Sequence, residues 1–163
     1  MWSVRKKLHV MVGLLGLLAG CGTPMLQLTV TSDGDVNQQR TLYMLIRTVD
    51  AKQYLTESYA TVAAQVVTPD ASVLASKVLL SPPPSPLKIP ITDAKPLAIY
   101  FLFTTPAGDW KTLQEPPFPK HLMITLGPGR ITKIERRGTL KLPAAAGGAP
   151  KLKAPKLAVP KLK

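Results

Sequence analysis

Polar and apolar residues alternate along much of this chain with the period of two that is typical of half-buried β-strands. Leu26, Leu28 and Val30 alternate with Gln27 and Thr29. The continuously apolar run 97–103 predicts the central strand of the core, because a strand buried on both faces needs no polar side. The predicted strands cover 25–30, 40–49, 72–80, 87–91, 97–103, 121–126 and 131–135.

A different period, 3.6 residues, follows Asp50. Leu55, Tyr59, Val62 and Val66 fall on one side of a helix that Asp50 can cap, with Gln53 three residues on. This stretch predicts one small helical insertion. Its aromatic residues either pack against the sheet or form a surface for a partner, and the sequence leaves both interpretations open.

Proline and glycine separate the strands. Pro90 cannot donate to a ladder and marks an edge strand, residues 81–86 form an irregular connection, and Gly127-Pro128-Gly129 predicts a hairpin. Leu140 and Leu142 are expected to close the sheet. The pattern over residues 25–142 therefore predicts an all-β protein, an antiparallel sandwich of two sheets.

The N-terminal residues have the order of a secretory signal. Three basic residues at positions 5–7 precede an apolar segment from Leu8 to Leu18, eleven residues that are too few to span a bilayer. The ending Leu18-Ala19-Gly20-Cys21 resembles a bacterial lipobox. Residues 1–20 are predicted to be a signal peptide, Cys21 the lipid attachment site, and 21–24 a lipidated linker. A signal cut by the ordinary peptidase is the alternative.

The predicted lipid decides the expected location. Gly22 follows the cysteine where Asp would retain such a lipoprotein in the inner membrane, so we expect the outer membrane, facing the periplasm. The three acyl chains of a mature lipoprotein would anchor it almost permanently. We expect no cofactor besides this covalent lipid.

The formal charge of +12 lies mainly at the C-terminus. Residues 22–129 carry eight basic and eight acidic side chains, whereas 130–163 carry ten basic residues against Glu135 alone. From Pro143 onward prolines at 150, 155 and 160 are each followed by Lys-Leu, so 143–163 is predicted to be a disordered tail. It either contacts a polyanion such as lipid headgroups or the cell wall, or keeps the protein soluble. Nucleic acid is not expected in the periplasm, and no aromatic residues interleave the lysines.

The sequence predicts no catalytic or metal site. Without the signal, His121 is the single histidine, and no nucleophile and base at a recognised spacing or glycine-rich phosphate loop accompanies it. A lone histidine is more often structural than a ligand. We therefore expect a binding or assembly protein, and an enzyme or enzyme accessory is the weaker alternative.

Several features in order resemble the TssJ outer-membrane lipoproteins of bacterial type VI secretion systems. After the lipobox and first strand come a polar loop with Asn37 and then Leu-Tyr-Met-Leu-Ile-Arg at 42–47. A helical stretch with Tyr54 and Tyr59, the apolar strand 97–103 and Trp110-Lys111 complete the resemblance. Pro82-Pro83-Pro84 and the basic tail depart from the family pattern.

The resemblance implies a transthyretin-like or immunoglobulin-like sandwich that holds the periplasmic C-terminal domain of the inner-membrane protein TssM. It also implies that the loop between the first two strands makes that contact, although composition alone favours an ordinary connection. The implied partner-binding residues are Asp33, Gly34, Asp35, Val36, Asn37, Gln38 and Gln39. The alternative is a periplasmic lipoprotein whose tail binds the cell wall or anionic lipid and whose sandwich is a passive scaffold.

Overall fold

A computed structural model describes residues 23–79 and 86–142. The predicted signal peptide, Cys21, most of the proline-rich connection and the tail 143–163 lie outside the described residues. The described elements, in chain order, are β1 (Met25–Ser32), β2 (Leu42–Thr48), α1 (Ala51–Thr56), α2 (Tyr59–Val67), β3 (Val73–Leu79), β4 (Leu87–Pro90), β5 (Leu97–Leu102), β6 (Lys111–Gln114), β7 (His121–Gly127) and β8 (Arg130–Arg137).

The strands form two four-stranded sheets, and the predicted all-β sandwich is confirmed. Sheet A has the strand order β4-β1-β7-β8, and sheet B has the order β3-β2-β5-β6. Side chains from the facing sides of both sheets form the main core, among them Leu28, Ile46, Phe101 and Ile124.

One strand pair departs from the antiparallel pattern. β1 runs parallel to β7, with Gln27 opposite His121 and Ser32 opposite Leu126, whereas the other pairs are antiparallel. Parallel neighbours need a long crossover, and here the connection from β1 to β7 contains all four strands of sheet B and the edge strand β4.

The apolar run 97–103 is explained by burial on both faces of β5. All six residues of β5 are buried, and the strand lies between β2 and β6 in sheet B. Ile99 and Phe101 face the main core, whereas Ala98 and Tyr100 belong to a second cluster with Val62 of α2. The helices therefore cover the outer face of sheet B.

The helical insertion consists of two short helices instead of one. Asp50 accepts a hydrogen bond from the Gln53 backbone at 2.7 Å and caps α1, as the sequence predicted. Ser58 then caps α2 by accepting from the Thr61 backbone at 3.2 Å. A second cap interrupts the 3.6-residue pattern, because a capping residue has an extended backbone.

The turns and sheet edges lie largely where the sequence predicts them. Pro90 ends the edge strand β4, and Gly129 turns the β7–β8 hairpin with a φ of +68°. A Cβ at Gly129 would lie 2.5 Å from the Thr105 carbonyl oxygen, so only glycine fits there. The prediction that Leu140 and Leu142 form a closing strand is wrong. Both pack against the main core in irregular backbone after the chain has left β8.

Candidate partner-binding loop

The loop between β1 and β2 lies at one end of the sandwich. It leaves β1 at Asp33, whose backbone N–H donates to the Leu126 carbonyl of β7 at 2.8 Å. The Val36 carbonyl accepts from the Gly129 N–H at 3.0 Å, which joins the loop to the β7–β8 turn. The loop is therefore attached to sheet A at two separate points.

Asn37 holds the centre of the loop through its buried amide. Its Oδ1 accepts from the Thr104 backbone N–H at 2.7 Å, just beyond the end of β5. Its Nδ2 donates to the carbonyls of Arg40 at 3.2 Å and Thr41 at 2.8 Å. One side chain thus satisfies three backbone groups that regular structure leaves without partners, and it fastens the loop to sheet B.

Asp35 shapes the exposed turn around Asn37. Its Oδ1 accepts from the backbone N–H groups of Asn37 at 3.2 Å and Gln39 at 3.0 Å. Gln38 and Gln39 follow with φ of 54° and 58°, in the left-handed region. Each such residue costs on the order of 1 kcal/mol, which the hydrogen bonds of Asp35 and Asn37 offset.

The seven predicted contact residues have different positions. Val36 is half-buried against the main core, and Asn37 is buried with 6% exposure. The structure gives these two residues a role inside the loop. The exposed members, which a partner could reach, are Asp33, Gly34, Asp35, Gln38 and Gln39.

An open cavity of about 550 Å³ lies beneath this loop. Val30, Leu42, Leu79 and Leu126 contribute apolar wall, and the loop itself contributes the polar rim. Because the lining comes from both sheets, the cavity opens at the end of the sandwich where the sheets separate. An apolar side chain from a partner would find apolar contacts there.

Sequence reasoning missed a buried ion pair beneath the helices. Arg47 of β2 lies 2.9 Å from Glu57, and their side chains are only 2% and 6% exposed. The guanidinium also donates to Ser72 Oγ at 2.9 Å and to Gln65 Oε1, and Asp70 lies 3.7 Å away. No spacing rule could have paired them, although Arg47 in an otherwise apolar strand was a signal that a partner was needed.

Tyr100 completes this network. Its hydroxyl donates to Glu57 Oε2 at 2.5 Å from the outer face of β5. Burial, reinforced by the hydrogen bond to Glu57, raises the pKa of Tyr100 well above its ordinary value of 10.0. The pKa of Asp70 is lowered by its hydrogen bonds from Ser72. The network joins β2, β5 and the helical insertion, so its arrangement stabilises the fold.

The described residues offer few other candidates for a catalytic or metal site. His121 begins β7 and is exposed. Within residues 23–79 and 86–142, no group of three His, Cys, Asp or Glu side chains could hold a metal ion. Among the helices that the structure describes, none is long and apolar enough to cross a membrane.

Comparison with known proteins decides the family. Residues 43–126 match the model of the IglE N-terminal domain, and this match spans more than half of the chain. The chain belongs to the IglE N-terminal-domain family. In this IglE-family chain the match runs from β2 to the end of β7 and does not include residues 33–39.

Solved structures similar to this chain include two from type VI secretion systems. One is Serratia marcescens Lip, a membrane-bound component of the type VI secretion system, with 16% identity and a TM-score of 0.52 over 71% of this chain and 99% of Lip. A chain of a type VI membrane complex aligns at 14% identity over 71% of this chain and 98% of its own length, with a TM-score of 0.43. No curated protein sequence matches the chain. The resemblance to the TssJ family is confirmed.

Proposed function

We propose that this protein is a membrane-anchored, non-enzymatic component of a type VI secretion system membrane complex. Two findings support this role: membership of the IglE N-terminal-domain family, and a fold shared with Lip, which is described as a membrane-bound component of such a system. The buried polar network also favours assembly over catalysis, since its charged groups are occupied by one another.

In this proposal the anchor is a lipid on Cys21 in the outer membrane, with the sandwich in the periplasm. Cys21 stands four residues before Met25, where β1 begins. A chain segment of this length reaches at most about 14 Å, so the sandwich would stay close to the membrane surface.

The proposed partner is the periplasmic C-terminal domain of a TssM-like inner-membrane protein, bound by the loop 33–39. The resemblance to the TssJ family is the reason for this assignment, and the buried Asn37 amide supports it because its hydrogen bonds hold the loop in an ordered conformation. A loop ordered in advance loses less conformational entropy on binding. The lipid would confine the loop near its partner and raise its effective concentration.

Capture from detergent-solubilised membranes tests this contact. The contact variant combines Asp33→Lys with Gln38→Lys, two exposed positions of the loop. The matched control combines Asp93→Lys with Ser76→Lys, which makes the same charge change at exposed positions away from the loop. Each is compared with the unaltered full chain by identifying the inner-membrane protein that it retains.

We expect the contact variant to retain at least about tenfold less partner, the loss of one or two good contacts, and the control to match the unaltered chain. Equal capture by the contact variant would rule out the loop as the contact. A chain with the tail lysines 151, 153, 156, 161 and 163 changed to Gln should still capture the partner. Loss of capture only in that chain would favour the alternative in which the tail binds and the sandwich is passive.

A further inference from the structure

The described chain begins and ends at the same end of sheet A. The Pro24 carbonyl, just before β1, accepts from the Ile91 N–H at 2.9 Å. The Leu140 N–H, just after β8, donates to the Phe118 carbonyl at 2.8 Å, next to the start of β7. The loop 33–39 lies at the opposite end, eight residues of β1 away, which is roughly 25 Å at about 3.3 Å per residue.

A row of polar side chains with a basic residue at each end crosses sheet A near the end where the chain enters. Gln27 lies opposite both Lys88 of β4 and His121 of β7, and His121 lies opposite Arg137 of β8. Residues that lie opposite one another share a face of the sheet. Since Leu26 and Leu28 point into the core, the row from Lys88 to Arg137 lies on the outer face.

The charge of sheet A is strongly one-sided. Glu135 is the single acidic residue on its four strands, and it pairs with Lys133 at 2.6 Å and Arg137 at 3.2 Å. The basic residues on those strands are Lys88, Arg130, Lys133, Arg136 and Arg137. Lys120 and Lys141 add two more exposed charges beside the chain's entry and exit. We call Lys88, Lys120, Arg137 and Lys141 the basic corner.

We infer that the basic corner binds the anionic phospholipid headgroups of the membrane that carries the anchor. Its side chains are exposed, and Lys88 and Arg137 are separated by three strand spacings, roughly 14 Å. Charges spread over an open face fit a diffuse anionic surface better than a single small anion, which needs a concave site.

The position of the chain ends identifies the surface as a membrane. The predicted lipid attachment site, Cys21, lies four residues before Met25, and the chain continues beyond Leu142 into a tail that carries five more lysines. An anchor at Cys21 would keep Met25, at the start of β1, within about 14 Å of the headgroups. Each Lys or Arg near an anionic membrane surface then strengthens the contact about fivefold at low salt.

This contact would orient the molecule. With the basic corner on the headgroups, the loop 33–39 lies at the far end of β1, roughly 25 Å from the corner along the strand. The inference rests on the lipid anchor of the proposed function and is independent of the partner that the loop binds.

Lysine footprinting on the lipidated full chain tests the contact. The protein is inserted into vesicles of phosphatidylcholine alone or of equal parts phosphatidylcholine and phosphatidylglycerol, and the acylation rate of each lysine is measured. The exposed residues Lys52 and Lys77 lie on α1 and β3 and serve as internal controls. The intact mass reports separately whether Cys21 carries lipid.

We expect Lys88 and Lys120 to react about fivefold more slowly in the anionic vesicles, with the protection lost at high salt and Lys52 and Lys77 unchanged. A variant with Lys88→Gln and Arg137→Gln should also lose protection at Lys120, whereas Lys77→Gln with Arg130→Gln should keep it. Equal rates in both vesicles would overturn the inference, and so would protection confined to the tail lysines. A chain that lacks lipid would contradict the anchor of the proposed function instead.

Discussion

The two outer faces of this sandwich differ in the burial of their charged side chains. On sheet B, helices α1 and α2 cover the face, and Arg47 lies buried 2.9 Å from Glu57. On sheet A, the described chain leaves the face open, and Lys133 pairs with Glu135 in contact with water, with 66% of the lysine side chain exposed. The buried pair determines how the helices sit on the sheet, whereas the exposed pair is available to a surface outside the molecule.

The largest expected effect comes from breaking the buried pair. Glu57→Gln keeps the shape and removes the charge, which leaves Arg47 buried beside Asp70 at 3.7 Å as its remaining acidic neighbour. We expect a loss of about 3 kcal/mol in the free energy of unfolding, measured with urea. The double variant Arg47→Met with Glu57→Leu should lose less than Glu57→Gln alone, because no charge stays buried. A loss below about 1 kcal/mol in Glu57→Gln would show that the pair is hydrated.

The packing of α1 and α2 against sheet B also depends on apolar contacts. Val62 is the single fully buried residue of α2, and Val62→Ala removes two methyl groups from the cluster beneath the helices. The expected loss is about 2 kcal/mol in urea unfolding. Val67→Ala, at a position that is 85% exposed on the same helix, is the control and should change little. Equal effects at both positions would mean that the helices do not pack as described.

Tyr100, on the covered face of sheet B, is expected to make the stability of the protein depend on pH in the alkaline range. Because its folded pKa is raised above 10.0, the phenol ionises first in the unfolded chain. This contribution to stability is fully present below pH 10.0 and is lost as the pH rises towards the folded value. Tyr100→Phe should cost about 1.5 kcal/mol at neutral pH, from the lost hydrogen bond to Glu57, and should flatten the alkaline decline. Tyr43→Phe, at an exposed position, should leave the alkaline decline in place.

The smallest effect is expected on sheet A. Lys133→Gln breaks the pair with Glu135, and we expect the urea midpoint to stay within experimental error. The pKa of Glu135, lowered mainly by its hydrogen bond from Lys133, should move towards its ordinary value of 4.5 and can be followed by NMR titration. A clear loss of stability would contradict the description of this face as open.

Local patterns predicted every strand except β6, together with the proline and glycine positions that separate the strands, because the causes are local. Continuous apolar sequence identified β5 as a central strand, Pro90 identified an edge, and the glycines around Pro128 identified a hairpin. The division of the helical insertion into two helices could also have been predicted, because Ser58 is a good capping residue three positions before Thr61. The 3.6-residue spacing of the apolar residues was instead interpreted as a single helical stretch.

The missed features connect residues that are distant in sequence. The parallel pairing of β1 with β7, and the contacts of Arg47 with Glu57 and Tyr100, arise from the tertiary arrangement and have no local signature. For the loop 33–39, composition indicated polar residues and positive φ values. It did not indicate that Asn37 points inward to the Thr104 backbone while Gln38 and Gln39 face solvent.

The pairing of β1 with β7 sets the order in which this chain can fold. Thr31 contacts Thr125 across 94 residues of sequence, so sheet A cannot gain its two central strands until nearly the whole domain has emerged from the ribosome. Contacts this remote slow folding, because a long loop must close before they form. Premature termination before His121 would leave β1 with only the short β4 beside it.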